Sequence, residues 1–361
     1  MPKSPFNSVF LWNALATIIL LPGFVNAQTC QFYVSPAGSD SHAGTLAAPW
    51  RTAQHAFDYA RAGERVCFRA GAYPMTNSSG YNQVLSHSGS SNSRITFTNY
   101  PGEVAVIEGS TRVDAAYVTF QGSPVTAPGL IFAGPGAHNM DLIDVMNSHD
   151  VTFDHVEIRQ GSYHAGLYQY GGYNIKVTGC YIHDNGRPGY FNTDQGIYWD
   201  ATTGTGNLIA NNVIEHNVAM GVQLYPAPTG VVVQENTIVN NGNYGMVAYG
   251  SGHEIVNNIL SSNGNSASNP QLKIDSLATS LTIDSNIFWS ASARQEGYWD
   301  VCACHAITHS ILKNPMFLSP SSHLYELEAG SPAIKAGNST YTMSVDKIGV
   351  TRTLPSNLGA Y

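Results

Sequence analysis

Four segments share a glycine followed by alternating apolar and polar residues. They are HAGLYQY at 164–170, DQGIYWD at 194–200, AMGVQLY at 219–225 and NYGMVAY at 243–249. A fifth, PQLKID at 270–275, keeps the alternation without the glycine. In a strand, alternate residues face opposite sides. Leu167, Ile197, Val222, Met246 and Leu272 then form one interior stack, and Gln169, Trp199, Leu224, Ala248 and Ile274 a second. The other parity faces outward in three columns. These hold His164, Asp194, Ala219 and Asn243; then Tyr168, Tyr198, Gln223, Val247 and Lys273; then Tyr170, Asp200, Tyr225, Tyr249 and Asp275. Tyrosine rings stack on sugar C–H surfaces and their hydroxyls hydrogen-bond, so Tyr168, Tyr170, Gln223, Tyr225 and Tyr249 are expected to bind a carbohydrate. His164 and Tyr198 fall in adjacent columns on neighbouring strands and can serve as a base and acid pair. Lys273 is the only lysine of the face. To act as a base it must lose its charge, which Asp275 beside it opposes. Asp194 and Asp200 are about 20 Å apart on one extended strand, too far for the paired carboxyls of a glycosidase. With Asp184 from the preceding turn they offer the oxygen ligands that suit Ca²⁺.

These strands need something to hold them in register. The segments TGCYIHDN, NNVIEHN, ENTIVNN, VNNILSSN and DSNIFWS repeat at intervals of 22 to 32 residues, matched at Cys180, Asn212, Asn236, Asn258 and Asn286. A second column, Asn185, Asn217, Asn241 and Asn263, follows five positions on. Each unit reads strand, turn, strand, turn, strand, with no helix between. Strands this short pair best as a coil of three per turn around an apolar core. The asparagines belong to the turns, where they tolerate left-handed backbone and can bond from rung to rung.

Composition agrees. Charged residues are 11% of 361, hydrophobic residues 43%, and the formal net charge is −8. No basic stripe exists to neutralise phosphates, so nucleic acid is not an expected partner. Residues 1–27 combine Lys3, an apolar run over Val9–Leu21 and Val25-Asn26-Ala27, which predicts a cleaved secretory signal. Export permits disulfides, and Cys30 with Cys67 is the preferred pair. Cys302 and Cys304 are too close in sequence to bridge easily. CAC with His305 lacks a second ligand cluster at zinc-site spacing, so a metal there is disfavoured.

The stretch FYVSPAGSDSHAGTLAAPWRTAQHAFDYARAGERVCFRAGAY at 32–73 resembles the opening of secreted pectate-lyase-like right-handed parallel β-helix proteins. Its Pro49 precedes a helical run over about 51–61 that would plug the open end of the coil. The tail NPMFLSPSSHLYELEAGSPAIKAGNS resembles the family's C-terminal segment, which packs against the last rungs. The resemblance implies an all-β, right-handed parallel β-helix of three-strand rungs. Residues 28–361 would be one domain, with cap and first rungs to about 92, coil over 93–300 and C-terminal segment over 301–361. It also implies a polysaccharide lyase acting on an acidic, uronate-containing polymer by β-elimination, with a lysine or arginine base and often Ca²⁺. Lys273 would be that base, Tyr198 and His164 the alternative pair, and Asp184, Asp194 and Asp200 the ion's ligands. The same architecture hosts hydrolases, epimerases and non-catalytic glycan binders. The expected protein is extracellular and monomeric, with a polysaccharide partner and no membrane association.

Overall fold

Each turn of the chain contributes one strand to each of three parallel sheets, in a computed structural model that describes residues 29–361 apart from 77–79, 124–128, 135–138, 203, 265–268 and 291–296. The expected signal over 1–27 lies outside the described residues. The sheets formed by first, second and third strands contain 11, 9 and 9 described strands, each hydrogen-bonded to its equivalent one rung away. The third sheet begins at Gln83–Leu85 and ends at Tyr298–Asp300. This is a parallel β-helix. No helix among the described residues is long and apolar enough to cross a membrane.

One continuous apolar core fills the coil from Val34 to Phe288. Both predicted interior stacks of the third sheet are fully buried, including Gln169. On the first sheet Phe97, Phe120 and Phe153 occupy one register and stack at centroid distances of 5.5 and 5.0 Å. Burying each such side chain stabilises the coil by about 1.5–3 kcal/mol. The helix Ala53–Tyr59 sets Ala53, Ala56 and Phe57 on this stack, with Phe57 edge-on to Phe97 at 4.8 Å. Thr52 caps it by accepting from His55 N at 3.1 Å. It stops before the expected residue 61 because Ala60 is already extended.

Both asparagine columns are buried ladders. Nδ2 of Asn212, Asn236 and Asn258 donates to the next rung's Oδ1 at 2.9–3.0 Å. The second ladder runs Asn185, Asn217, Asn241, Asn263 and ends on Gln271. The left-handed residues are not the ladder asparagines but those just before them: Asn211, Glu235, Asn257 and Ser285, and Asp184, His216, Asn240 and Ser262. The preceding residue turns the chain inward and the asparagine bonds along the coil axis.

Cys30 and Cys67 are bridged, as expected. Cys302 and Cys304 are bridged too, contrary to expectation; their Cα atoms are 5.1 Å apart, within the usual range for a disulfide. The tail does more than cover the last rungs. Tyr325 and Ala360 pack on Val213 and Val239, and Ala333 and Leu358 on Ile259 and Ile287. Lys347 Nζ reaches back to donate to Gly179 O at 2.6 Å. The tail therefore shields the apolar side chains that the second sheet turns outward, Val213, Val239, Ile259 and Ile287.

Candidate functional site

The third sheet holds its outward middle column in strict register: Arg112, Asp144, Tyr168, Tyr198, Gln223, Val247, Lys273 and Trp299. At about 4.8 Å per rung this column is about 34 Å long, room for several sugar rings.

Its upper half is a cluster of ionisable groups. His164 Nδ1 lies 3.2 Å from Asp141 Oδ1, and Asp141 also accepts from the Ala165 N–H. Asp141 thereby fixes the ring, and Nε2 has no hydrogen bond among the described residues. Burial pulls the imidazolium down, but Asp141, with Asp194 and Asp144 behind it, outweighs burial and holds His164 above the usual histidine value. The ring stands edge-on to Tyr198 at 4.7 Å, and Tyr198 stacks on Tyr168 at 5.2 Å. Burial, helped by Asp200, keeps the Tyr198 phenol well above its ordinary value. Tyr168 donates to Asp200 Oδ2 at 2.9 Å.

Asp144 is 3% exposed. Burial, then the charge of Asp141, pushes its carboxyl up to about 7. Its Oδ1 has no hydrogen-bond partner among the described residues, a cost that a neutral carboxyl lowers. The face therefore offers a histidine oriented by a carboxylate, a phenol against it and, one or two rungs away, a carboxyl whose protonation is favoured by its burial. That set can accept one proton and donate others.

The residues expected to carry catalysis divide. His164 and Tyr198 come together. Lys273 stands three rungs below Tyr198, about 14 Å away, and cannot share a reacting centre with it. Its ammonium sits between the rings of Tyr244 and Trp299, at 5.8 and 5.3 Å. No carboxylate pairs with it among the described residues. Asp275 is engaged by the Tyr249 hydroxyl. Of the expected binding residues, Tyr170 and Tyr225 are exposed, and Tyr225 meets Tyr249 edge-on at 4.8 Å. Gln223 hydrogen-bonds Gln195.

Beyond His164, which is partly exposed, the first outward column does not face solvent. Asp194 is 0% exposed and grips Arg187, accepting from its Nε at 2.7 Å and Nη2 at 2.8 Å. Burial raises the Asp194 carboxyl, but the Arg187 bonds outweigh it and hold it low. Segment 184–193 folds back over the column, and Asn243 Nδ2 donates to Phe191 O at 2.7 Å. The alternation told which side of the sheet these residues occupy, not what covers that side. Arg187 is sandwiched by Tyr163 and Tyr190 at 4.4 and 3.8 Å, a cationic wall close to His164.

The expected Ca²⁺ ligands do not fit one ion. Asp184 is turned to His183 Nδ1 at 2.7 Å, Asp194 is spent on Arg187, and Asp200 serves Tyr168. Among the described residues, the groups close enough to share a metal are Asp300, Cys302, Cys304 and His305, and Glu215, His216 and His323.

Sequence reasoning missed Asp141, Asp144 and Arg112. The segment MDLIDVM at 140–146 lacks the glycine that anchored the alignment. Stepping back 24 residues from Leu167 lands on Ile143, its true partner, so the repeat interval alone would have found the rung.

Fold and face define a parallel β-helix with an elongated, tyrosine-rich polar sheet face. The family model for the Pel9A-like, right handed beta helix region matches residues 32–265, and the chain belongs to that family. It is 34% identical over 103 residues to pectate lyase PEL9 of Emericella nidulans, 28% of this chain and 22% of that one. It is 42% identical over 87 residues to the uncharacterized protein YwoF of Bacillus subtilis, 24% of this chain and 17% of that one. The chain thus spans about a fifth of each curated relative's length. Among solved structures it superposes on pectate lyase Pel9A with a TM-score of 0.64 at 18% identity, covering 91% of this chain and 95% of the other. A rhamnogalacturonan lyase gives 0.57 at 14% identity with the same coverage. These likenesses establish the fold.

Proposed function

We propose that this protein is an exported polysaccharide lyase that cleaves an acidic, uronate-containing polymer by β-elimination at the His164–Tyr198 face. The observation that carries the reading is the Asp141–His164–Tyr198 contact beside the buried Asp144. The family, with its pectate lyase members, supports the substrate class. The apolar run before Ala27 supports export.

His164 Nε2 takes the proton α to the uronate carboxyl while Asp141 steadies the imidazolium that forms. The C4–O bond breaks as the C4–C5 double bond forms. Tyr198 hands its proton to the departing oxygen, which as an alkoxide is the stronger base. Neutral Asp144 donates to the substrate carboxyl as its charge builds, without a repelling charge of its own. Lys273, between two rings, holds the carboxylate of a sugar several units along. Tyr170, Tyr225 and Tyr249 carry the sugars between. No step is routed through Ca²⁺, because the carboxylates expected to bind it are engaged elsewhere.

Incubation of the mature chain with a panel of uronate polymers tests this. Unsaturated, ultraviolet-absorbing ends should appear and should be lost in His164→Ala. Asp144 also favours a second reading, glycoside hydrolysis with Asp144 as the acid. New reducing ends without unsaturation would select it.

A further inference from the structure

The last described strand of the third sheet, Tyr298–Asp300, runs into Val301-Cys302-Ala303-Cys304-His305. The loop is tightly wound, with Ala303 at φ 53°. His305 Nε2 lies 2.9 Å from Ala278 O. A carbonyl only accepts, so Nε2 carries a proton, and in a neutral ring Nδ1 carries the lone pair. That lone pair faces Asp300 Oδ1 at 2.9 Å, Cys302 Sγ at 3.6 Å and Cys304 Sγ at 3.7 Å. Two acceptors this close need a proton or a cation between them. All four ligand atoms lie within 4.8 Å of one another. Two sulfurs, an imidazole and a carboxylate make a four-ligand set of the zinc type. A histidine whose other nitrogen donates to a backbone carbonyl is the usual supporting arrangement for such a ligand.

Here the two sulfurs are joined, and a disulfide offers no thiolate. We propose that Asp300, Cys302, Cys304 and His305 form a redox-gated site for one thiophilic divalent cation of the zinc type. It binds in the dithiol state and is released by disulfide formation. An external dithiol gives two electrons and two protons to the Cys302–Cys304 bond and becomes a disulfide itself. The cation then displaces one proton from each thiol. Oxidation by a disulfide reverses the sequence. The site holds the last described third-sheet strand, and with it Trp299 against Lys273, to the Ala278 turn of the preceding rung. It does not depend on the reaction assigned to the face.

Cobalt(II) is the probe. Mature protein reduced with dithiothreitol and freed of it without air should bind one Co²⁺ per chain. Thiolate-to-cobalt charge-transfer absorption should appear, and Zn²⁺ should erase it. The oxidised protein and the Cys302→Ser/Cys304→Ser variant should lack the band, and His305→Ala should bind at least about tenfold more weakly. Absence of the band in reduced protein, or its persistence in the double variant, overturns the proposal; the latter would place the metal on Cys30, Cys67 or Cys180. Should the double variant fail to fold, alkylation decides on the native chain. Zn²⁺ should protect Cys302 and Cys304 in the reduced protein, and equal labelling with and without Zn²⁺ contradicts the site.

Discussion

Two carboxyls three residues apart have different surroundings. Asp141 is tied to His164 and to a backbone N–H, whereas Asp144 is buried beside that charge and sits at about 7. For the proposed reaction the expected consequence is a narrow pH profile. His164 must be neutral to accept a proton, so the rate rises as pH passes above the ordinary histidine value of about 6.5. Asp144 must be neutral to donate, so the rate falls as pH passes about 7. In Asp144→Asn the amide still donates but cannot ionise. Its kcat/KM profile should keep the rising limb and lose the falling one; an unchanged falling limb would remove Asp144 from the mechanism. Lys273→Ala should raise KM and leave kcat within about twofold, the mark of binding without chemistry. His164→Ala should lower kcat by about 10²–10⁴.

At the scale of elements, ladders and tail hold the third sheet rigid beneath these groups. Asn241 Nδ2 donates to Ile214 O, Val239 O and Asn263 Oδ1, and its Oδ1 accepts from Asn217. Asn241→Ala strands several buried groups at about 1–3 kcal/mol each, so a loss of about 3 kcal/mol or more should appear as a lower urea midpoint. Glu215, outward on the second sheet, pins the tail through Tyr325 and His323. Burial opposes its charge, but bonds from His216, Tyr181 and Tyr325 prevail and hold it at about 2. A depressed carboxyl stabilises fully above its unfolded value of about 4.5 and loses that contribution as pH falls towards 2. Pepsin cleavage within 301–361 should therefore rise steeply between those values, and Glu215→Gln should flatten the dependence. The ladders were legible because Asn212, Asn236, Asn258 and Asn286 recur in one sequence column. The tail's reach to Gly179 was not, since Lys347 and Gly179 are 168 residues apart and share no pattern.

For the whole molecule, the repeat that made the fold legible also hid its centre. A period of two separates Ile197 and Trp199 in the core from Tyr198 outside, and the sheet obeys it. It carries no information on what lies over the sheet, so Asp194 read as exposed although Arg187 covers it. The glycine alignment stopped one rung short of Asp144, although it already set Lys273 three rungs from Tyr198. The coil's length sets the proposed division: proton transfer at one end, charge recognition at the other. One comparison bears on it most directly, the rate of unsaturated-product absorbance on a uronate polymer for the native chain, His164→Ala and Lys273→Ala. The account predicts activity in the native chain, a loss of about 100-fold or more in His164→Ala and near-native kcat in Lys273→Ala. Abolition by Lys273→Ala with His164→Ala still active would contradict it.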